Sequence, residues 1–166
     1  MKKLTLLIAL LLVVLSTNAP AQASATATAT ATIVTPIGIT KSVDMNFGNV
    51  ATNGAVGTVV LTPAGTRTST GGVTLPATAG TVTAASFAVT GSGTYTYTIT
   101  LPASPITLTG TTAGVTAGTF TSTPNATGAL TAGAQTLLVG ATLNLPASTA
   151  AGSYVSAAFT VTVNYN

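Results

Sequence analysis

Apolar and polar residues alternate along most of this chain with a period of two, which is the spacing of a half-buried β-strand. In the most regular stretch, from residue 25 to residue 39, threonines at 26, 28, 30 and 32 separate the first apolar positions. The apolar positions of this stretch share one face: Ala25, Ala27, Ala29, Ala31, Ile33, Ile37 and Ile39. The pattern predicts a strand ahead of the main body of the chain.

Further alternating stretches predict more strands along the rest of the sequence. Their apolar faces are Phe87 and Val89; Tyr95, Tyr97, Ile99 and Leu101; Leu137, Val139, Ala141, Leu143 and Leu145; and Phe159, Val161, Val163 and Tyr165. Shorter apolar pieces at 56–61, 73–75 and 106–108 predict the remaining strands. About seven to ten short strands with this spacing predict an all-β antiparallel sandwich.

Turn signals rich in glycine, proline and asparagine lie between the predicted strands. They include Asn53-Gly54, Gly71-Gly72 and Gly91-Ser92-Gly93. The last of these stands between two predicted strands, so it is typical of a hairpin turn and not of a phosphate-binding loop. In the Asn46-Phe47-Gly48 sequence, Phe47 is a predicted apolar anchor and Gly48 suits an unusual backbone angle. No helix is predicted after residue 23.

The N-terminus has the pattern of a secretory signal peptide. The basic start Met1–Lys3 precedes the apolar run Leu4–Leu15, and small residues follow at Ala21 and Ala23. A membrane anchor is the alternative, but the apolar run is shorter than the roughly 20 residues that span a bilayer. We predict cleavage between Ala23 and Ser24. The product is then secreted, in transit through the periplasm to the cell surface or the extracellular space.

The domain organisation predicted from these features has three parts. A signal peptide occupies residues 1–23, an alternating N-terminal strand residues 24–40, and a β-sandwich domain residues 41–166. About 143 residues remain after cleavage, which is enough for one domain with its own core. The chain has no cysteine, so apolar burial and not disulfides must stabilise that core.

Charged residues are almost absent from the predicted mature chain. Only Lys41, Asp44 and Arg67 remain after residue 23, the whole chain has no histidine, and the formal charge falls from +3 to +1 on cleavage. Paired acids and bases for catalysis, ligand clusters for a metal and the basic patch of a nucleic-acid-binding protein are therefore missing. We predict no enzyme, no cofactor, no metal site and no nucleic-acid partner. Lys41 is interpreted as a solvated charge beside Asp44.

Several short segments, taken in their order along the chain, resemble one family. They are Ala-Thr-Ile-Val-Thr-Pro-Ile at 31–37, Met-Asn-Phe-Gly at 45–48, Ala-Ser-Phe-Ala-Val-Thr-Gly at 85–91, and the ending from Gly152 to Tyr165. Over residues 25–166 the chain resembles the bacterial secreted proteins called domain of unknown function 4402. That family has no established activity, so the resemblance implies a class and not a mechanism.

The same features are more distantly similar to spore coat protein U and the archaic chaperone-usher pilin subunits. Those proteins share an N-terminal alternating strand, an Asn-Phe-Gly element and a closing Thr-Val strand near a tyrosine. The similarity implies an immunoglobulin-like sandwich that lacks its last strand, which the N-terminal extension of the next subunit supplies. This chain lacks the cysteines of those pilins.

The sequence leaves three interpretations of the Ala-Thr segment open: a first strand of its own domain, a strand donated to a neighbour, or a threonine-rich leader. We expect a secreted structural subunit of a bacterial surface fibre, pilus or extracellular matrix that associates through strand edges. The alternative is a monomeric adhesion or carbohydrate-binding domain in which Tyr95, Tyr97 and Tyr154 stack on sugars. Packing in the core or on a sheet face is the role expected for these tyrosines. Expected partners are further copies of the chain, an assembly chaperone and, for the alternative, a surface glycan.

Overall fold

The computed structural model describes residues 22–166, and over that range the protein is all-β, antiparallel and without a helix. Accordingly, no helix long and apolar enough to cross a membrane occurs between residues 22 and 166. The predicted signal peptide falls almost wholly outside the described residues. The strands are β1 Gly38–Val43, β2 Ala51–Leu61, β3 Arg67–Thr74, β4 Ala85–Thr90, β5 Thr96–Thr100, β6 Ile106–Thr109, β7 Thr116–Thr123, β8 Thr127–Ala129, β9 Ala134–Leu145, β10 Val155–Ser156 and β11 Thr162–Tyr165.

Eight of these strands form one large sheet organised around β9. The strand order is β1-β4-β9-β7-β6-β10, and β2 also pairs with β9 and carries β3 on its other side. The first half of β9 pairs with β4 and its second half with β2, while β7 follows the opposite edge. The change of partner falls at Gly140, where a Cβ atom would overlap the carbonyl oxygen of Leu61. Because glycine has no Cβ, the last residue of β2, Leu61, can approach β9 closely at Gly140.

The remaining strands, β11, β5 and β8, form a small sheet in that order. Residues of both sheets share the first core cluster: Ala85, Phe87, Val89, Tyr97, Leu130, Leu137, Val139, Val161 and Val163. The predicted apolar faces of β4 and β9 are confirmed as buried, and the inward positions near the C-terminus are buried or partly buried. Burial on the two-residue period thus fixes which face of each of these strands points inward.

A second core cluster lies on the other half of the large sheet. Its buried members are Val59, Val73, Leu108, Val115, Ala117, Leu143 and Leu145. Partly buried Phe47, Val50, Leu75, Ile106 and Tyr154 pack against it. Among the described residues, none of these comes from the small sheet. Side chains from loops and strand ends therefore cover the second cluster, whereas the small sheet covers the first cluster.

Two predicted turns are continuous strand in the structure. Asn53-Gly54 lies inside β2 and Gly71-Gly72 inside β3, and the pairing of these strands shifts register between Thr52 and Gly57. The hydroxyl oxygen of Thr52 accepts from the Gly54 amide at 3.1 Å, and Oδ1 of Asn53 accepts from the Ala55 amide at 3.0 Å. These local bonds close a bulge without ending the strand.

The predicted hairpin turn at Gly91-Ser92-Gly93 is also wrong. It connects β4 of the large sheet to β5 of the small sheet, and these two strands do not pair. The amide of Gly91 bonds to the carbonyl of Gly133 at 2.9 Å, and the amide of Gly133 bonds to the carbonyl of Gly93 at 2.8 Å. The glycines therefore make a crossing between sheets, which a local sequence signal does not distinguish from a hairpin.

Candidate binding groove

An open groove of about 1350 Å³ runs between the chain that follows β1 and the chain that leads into β11. Val43, Met45 and Phe47 line one wall, and Tyr154, Val155 and Phe159 line the other. The floor consists of apolar side chains from four strands and one loop of the large sheet: Ala85, Phe87, Ile106, Leu108, Val115, Ala117, Leu143 and Leu145. The groove therefore crosses from the first core cluster to the second.

The backbone beside this groove lacks partners among residues 22–166. Residues 157–161 make no backbone hydrogen bond to another described residue, although they link β10 of the large sheet to β11 of the small one. Within the described chain, β1 pairs with β4 alone and β11 with β5 alone, so each strand has one open edge. Open edges and unpaired peptide groups are the features that an added β-strand satisfies.

Apolar side chains are also exposed at the groove. Val43 is 42% exposed on one wall and Val155 is 66% exposed on the other. Phe159 is only partly buried, although its ring contacts Phe87 edge-on at 6.5 Å and Phe120 at 5.2 Å. Large apolar side chains at the mouth of an apolar groove are typical of a protein interaction site.

The wall that contains Phe47 is held in place by Arg67. The guanidinium of Arg67 donates to the carbonyl oxygens of Phe47 and Asn49, the latter at 2.9 Å. Gly48 between them has φ +67°, as predicted for this position, and its amide donates to Oδ1 of Asn46 at 2.8 Å. The opposite edge of this segment is fixed by two backbone bonds between Asn46 and Thr83. The wall is therefore a braced loop.

The ion pair between Lys41 and Asp44 lies at the edge of the groove and is exposed to solvent. Nζ of Lys41 is 2.8 Å from Oδ1 of Asp44, and both side chains are exposed, as predicted for a solvated pair. Exposed pairs of this kind contribute little to stability because water screens them. Across residues 22–166, no three histidine, cysteine, aspartate or glutamate side chains come together as a metal site. The groove therefore combines an apolar floor with a polar edge that includes Lys41 and Asp44.

The residues predicted for strand donation fall into two groups. Ala25, Ala27, Ala29 and Ala31 are exposed and belong to no strand, and Ile33 is 92% exposed. Ile37 and Ile39 instead pack against the first core cluster, and Ile39 pairs with Val89. The boundary between the two units of the chain falls between Ile33 and Val34, which separates the same two groups. Donation of the N-terminal strand, predicted over residues 24–40, stays a prediction.

Tyr165 fixes the place where the domain begins. Its hydroxyl donates to the carbonyl of Thr35 at 2.9 Å and accepts from the amide of Ser92 at 2.6 Å. Its ring also contacts Tyr95 at 5.6 Å. One side chain near the C-terminus therefore links the start of the domain to the crossing between the sheets.

Tyr97 and Tyr154 have packing roles. Tyr97 is fully buried, its hydroxyl donates to Oε1 of Gln135 at 2.6 Å, and burial raises the pKa of this hydroxyl. Tyr154 donates to the carbonyl of Ala150 at 2.7 Å and accepts from the amide of Thr112 at 3.1 Å. Among the three tyrosines considered for sugar stacking, Tyr95 is the exposed one, with 48% of its surface accessible.

Sequence reasoning missed the residues that create the groove. It predicted one continuous strand from Phe159 to Tyr165, whereas β11 begins at Thr162 and the preceding residues are unpaired. Val43 and Val155 were not singled out either. Val43 and Val155 matter because they face each other across the groove in the folded chain. Alternation within one segment does not indicate which distant segment lies opposite it.

The family comparison agrees with this fold and with the position of its first strand. The model for domain of unknown function 4402 matches residues 37–165, from just before β1 to the end of β11. The chain belongs to the domain of unknown function 4402 family. It matches no curated protein and no solved structure. The family match begins after residues 25–33, so these residues lie outside the family domain.

Proposed function

We propose that this member of the domain of unknown function 4402 family is a secreted structural subunit of a bacterial surface fibre, pilus or extracellular matrix. Its domain is an immunoglobulin-like sandwich with one strand position unfilled. A neighbouring copy fills that position by adding a strand. The protein acts by binding at strand edges and performs no reaction.

The observation that carries this proposal is the groove over the second core cluster. Its floor is apolar, residues 157–161 beside it have unpaired backbone groups, and β1 and β11 each have an open edge. Burying apolar surface contributes about 25 cal/mol per Å², and each backbone hydrogen bond a net ~1 kcal/mol. One added strand supplies both contributions at once.

The near absence of charge supports association of copies with each other. Lys41, Asp44 and Arg67 are the charged side chains after residue 23, so copies of the mature chain repel each other weakly. Lys41 and Asp44 pair with each other and Arg67 is bonded to carbonyl oxygens. Surfaces that are neutral and rich in threonine can therefore approach closely.

Light scattering and negative-stain electron microscopy of the mature chain, residues 24–166, test the proposal. We expect concentration-dependent oligomers or filaments. Val155→Lys places a charge on the groove wall and should reduce the association, whereas Val56→Lys should not, because Val56 is 63% exposed within the bulge of β2 and does not line the groove. A mature chain that stays monomeric at every concentration would contradict the proposal.

A further inference from the structure

We infer that Asn53 is a site of spontaneous modification, at which the folded protein converts a side-chain amide to a carboxylate without an enzyme, and that the bulge of β2 promotes the conversion. Asn53-Gly54 is the single Asn-Gly dipeptide of the chain. Glycine after asparagine favours this chemistry, because a residue without a side chain leaves its amide nitrogen open to the preceding carboxamide. The inference is independent of strand addition at the groove.

The reaction joins two groups that are neighbours along the chain. The Gly54 amide nitrogen, after its proton has passed to hydroxide, attacks Cγ of Asn53. The new N–Cγ bond closes a succinimide ring, and the Cγ–Nδ2 bond breaks as the side-chain nitrogen takes up a proton and leaves as ammonia. Water then opens the ring at either carbonyl, which gives aspartate or isoaspartate at position 53. The sequence of steps consumes water and needs no oxidant or reductant.

Both reacting groups make hydrogen bonds that favour this attack. The Gly54 amide donates to the hydroxyl oxygen of Thr52 at 3.1 Å, so an acceptor already lies on the proton that this nitrogen must lose. Oδ1 of Asn53 accepts from the Ala55 amide at 3.0 Å. This amide stabilises the negative charge that develops on Oδ1 when the nitrogen attacks Cγ.

The strand around Asn53 has room for the ring and for its products. Residues 53–56 form the bulge of β2 and have no partner in the ladders with β3 and β9, and Asn53 and Gly54 are both exposed. Apart from its two neighbours in sequence, no described residue has an atom within 4 Å of a Cβ placed at Gly54. A carboxylate oxygen at position 53 can still accept from the Ala55 amide. The extra backbone atom of isoaspartate falls where the ladder is already interrupted.

The modification changes the charge of a nearly neutral protein. Lys41 and Arg67 against Asp44 give the mature chain a formal charge of +1, so one new carboxylate brings it to zero. Asp44 is the one acidic residue of the sequence, so the number of acids doubles. Aged protein should therefore separate from fresh protein by ion exchange, and its copies should repel each other less.

Incubation of residues 24–166 in mildly alkaline buffer, followed by trypsin digestion and mass spectrometry, tests the inference. Trypsin cuts after Lys41 and Arg67, so one peptide, residues 42–67, contains Asn53 together with Asn46 and Asn49 as internal controls. We expect this peptide to gain the mass difference between an amide and a carboxyl group, with fragment ions that place the change at Asn53. Aspartate and isoaspartate products should separate on chromatography, and the conversion should accelerate as pH rises.

Thr52→Val tests whether the fold promotes the reaction. Loss of the acceptor for the Gly54 amide should slow conversion of the folded protein about fivefold and leave the rate in urea nearly unchanged. Thr68→Val is the matched control, because Thr68 is exposed in the neighbouring strand and should keep the wild-type rate. Conversion at Asn46 or Asn49 as fast as at Asn53 would overturn the inference. So would equal rates in folded wild type and Thr52→Val, or conversion that occurs in urea and not in the folded protein.

Discussion

Gly91 and Tyr165 meet at the crossing between the two sheets, where there is no room for a side chain at position 91. A Cβ atom there would overlap the Tyr165 hydroxyl and lie 2.8 Å from Cδ1 of Leu130. The glycine is therefore required by a close approach from another strand. It lets one hydroxyl accept from Ser92 and donate to Thr35.

Gly91→Ala should lower the free energy of unfolding by about 1–3 kcal/mol, because the new methyl displaces Tyr165 and breaks both of its hydrogen bonds. Urea denaturation followed by circular dichroism measures the change. Gly38→Ala is the control, since its Cβ would lie 3.2 Å from the movable Oγ1 of Thr90. Equal losses in the two variants would contradict this account of Gly91.

Tyr97 makes stability depend on alkaline pH. Burial raises the pKa of its hydroxyl in the folded protein above the ordinary value of about 10. The unfolded chain therefore loses this proton first, so the stabilisation is complete below about pH 10 and is lost as pH rises through the folded pKa. Urea midpoints measured across this range should fall in the wild type and fall less in Tyr97→Phe.

The control for this titration is Tyr95→Phe, which leaves the buried hydroxyl of Tyr97 in place. It should keep the wild-type dependence on alkaline pH. If Tyr97→Phe and the wild type lost stability in parallel, then ionisation of Tyr97 would not be the cause.

At the scale of elements, local alternation was a reliable guide where one strand buries one face. The residues from Leu137 to Leu145 were predicted as a single apolar face and are buried as one in β9. Asn53-Gly54 was misleading, because the side chains of Thr52 and Asn53 bond to nearby amides and keep β2 continuous. The pairing partners of β9 were beyond prediction, since they depend on contacts between distant segments.

The candidate groove was predictable only in part, because it too depends on contacts between distant segments. The N-terminal segment predicted for donation was visible as an alternating segment, and Phe47 was visible as an anchor followed by glycine. The unpaired backbone of residues 157–161 was hidden, because the same alternation continues through paired and unpaired residues alike. Alternation reports which side chains face a core, whereas a missing neighbour is a property of the assembled sheet.

The braced wall of the groove depends on Arg67, whose guanidinium bonds two carbonyl oxygens. Arg67→Met should lower the free energy of unfolding by about 2–4 kcal/mol, because hydrogen bonds to a charged group contribute about 1.5–3 kcal/mol each and water replaces part of that. Lys41→Met removes the exposed ion pair and should cost under about 1 kcal/mol. Thermal unfolding of both variants measures the difference, and similar losses would show that Arg67 does not brace the wall.

At the scale of the whole molecule, the two core clusters differ in what covers them. The first lies between two sheets, while the second has loops, strand ends and an open groove over it. The isolated protein should therefore have uneven protection from hydrogen exchange. Amides that lack backbone partners open without unfolding, whereas those of a central strand exchange through larger openings.

Amide hydrogen exchange can thus test whether a strand is added beside residues 157–161 on association. In the dilute chain the amides of residues 157–161 should exchange rapidly and those of residues 138–144 in β9 slowly, because that part of β9 lies between β7 on one edge and β4 or β2 on the other. In the associated sample residues 157–161 should become protected, while β9 changes little. The Val155→Lys variant at the same concentration should keep residues 157–161 unprotected. If these amides gained no protection in associated wild-type protein, the contact between copies would lie elsewhere, and the open edge beside the groove would not be its site.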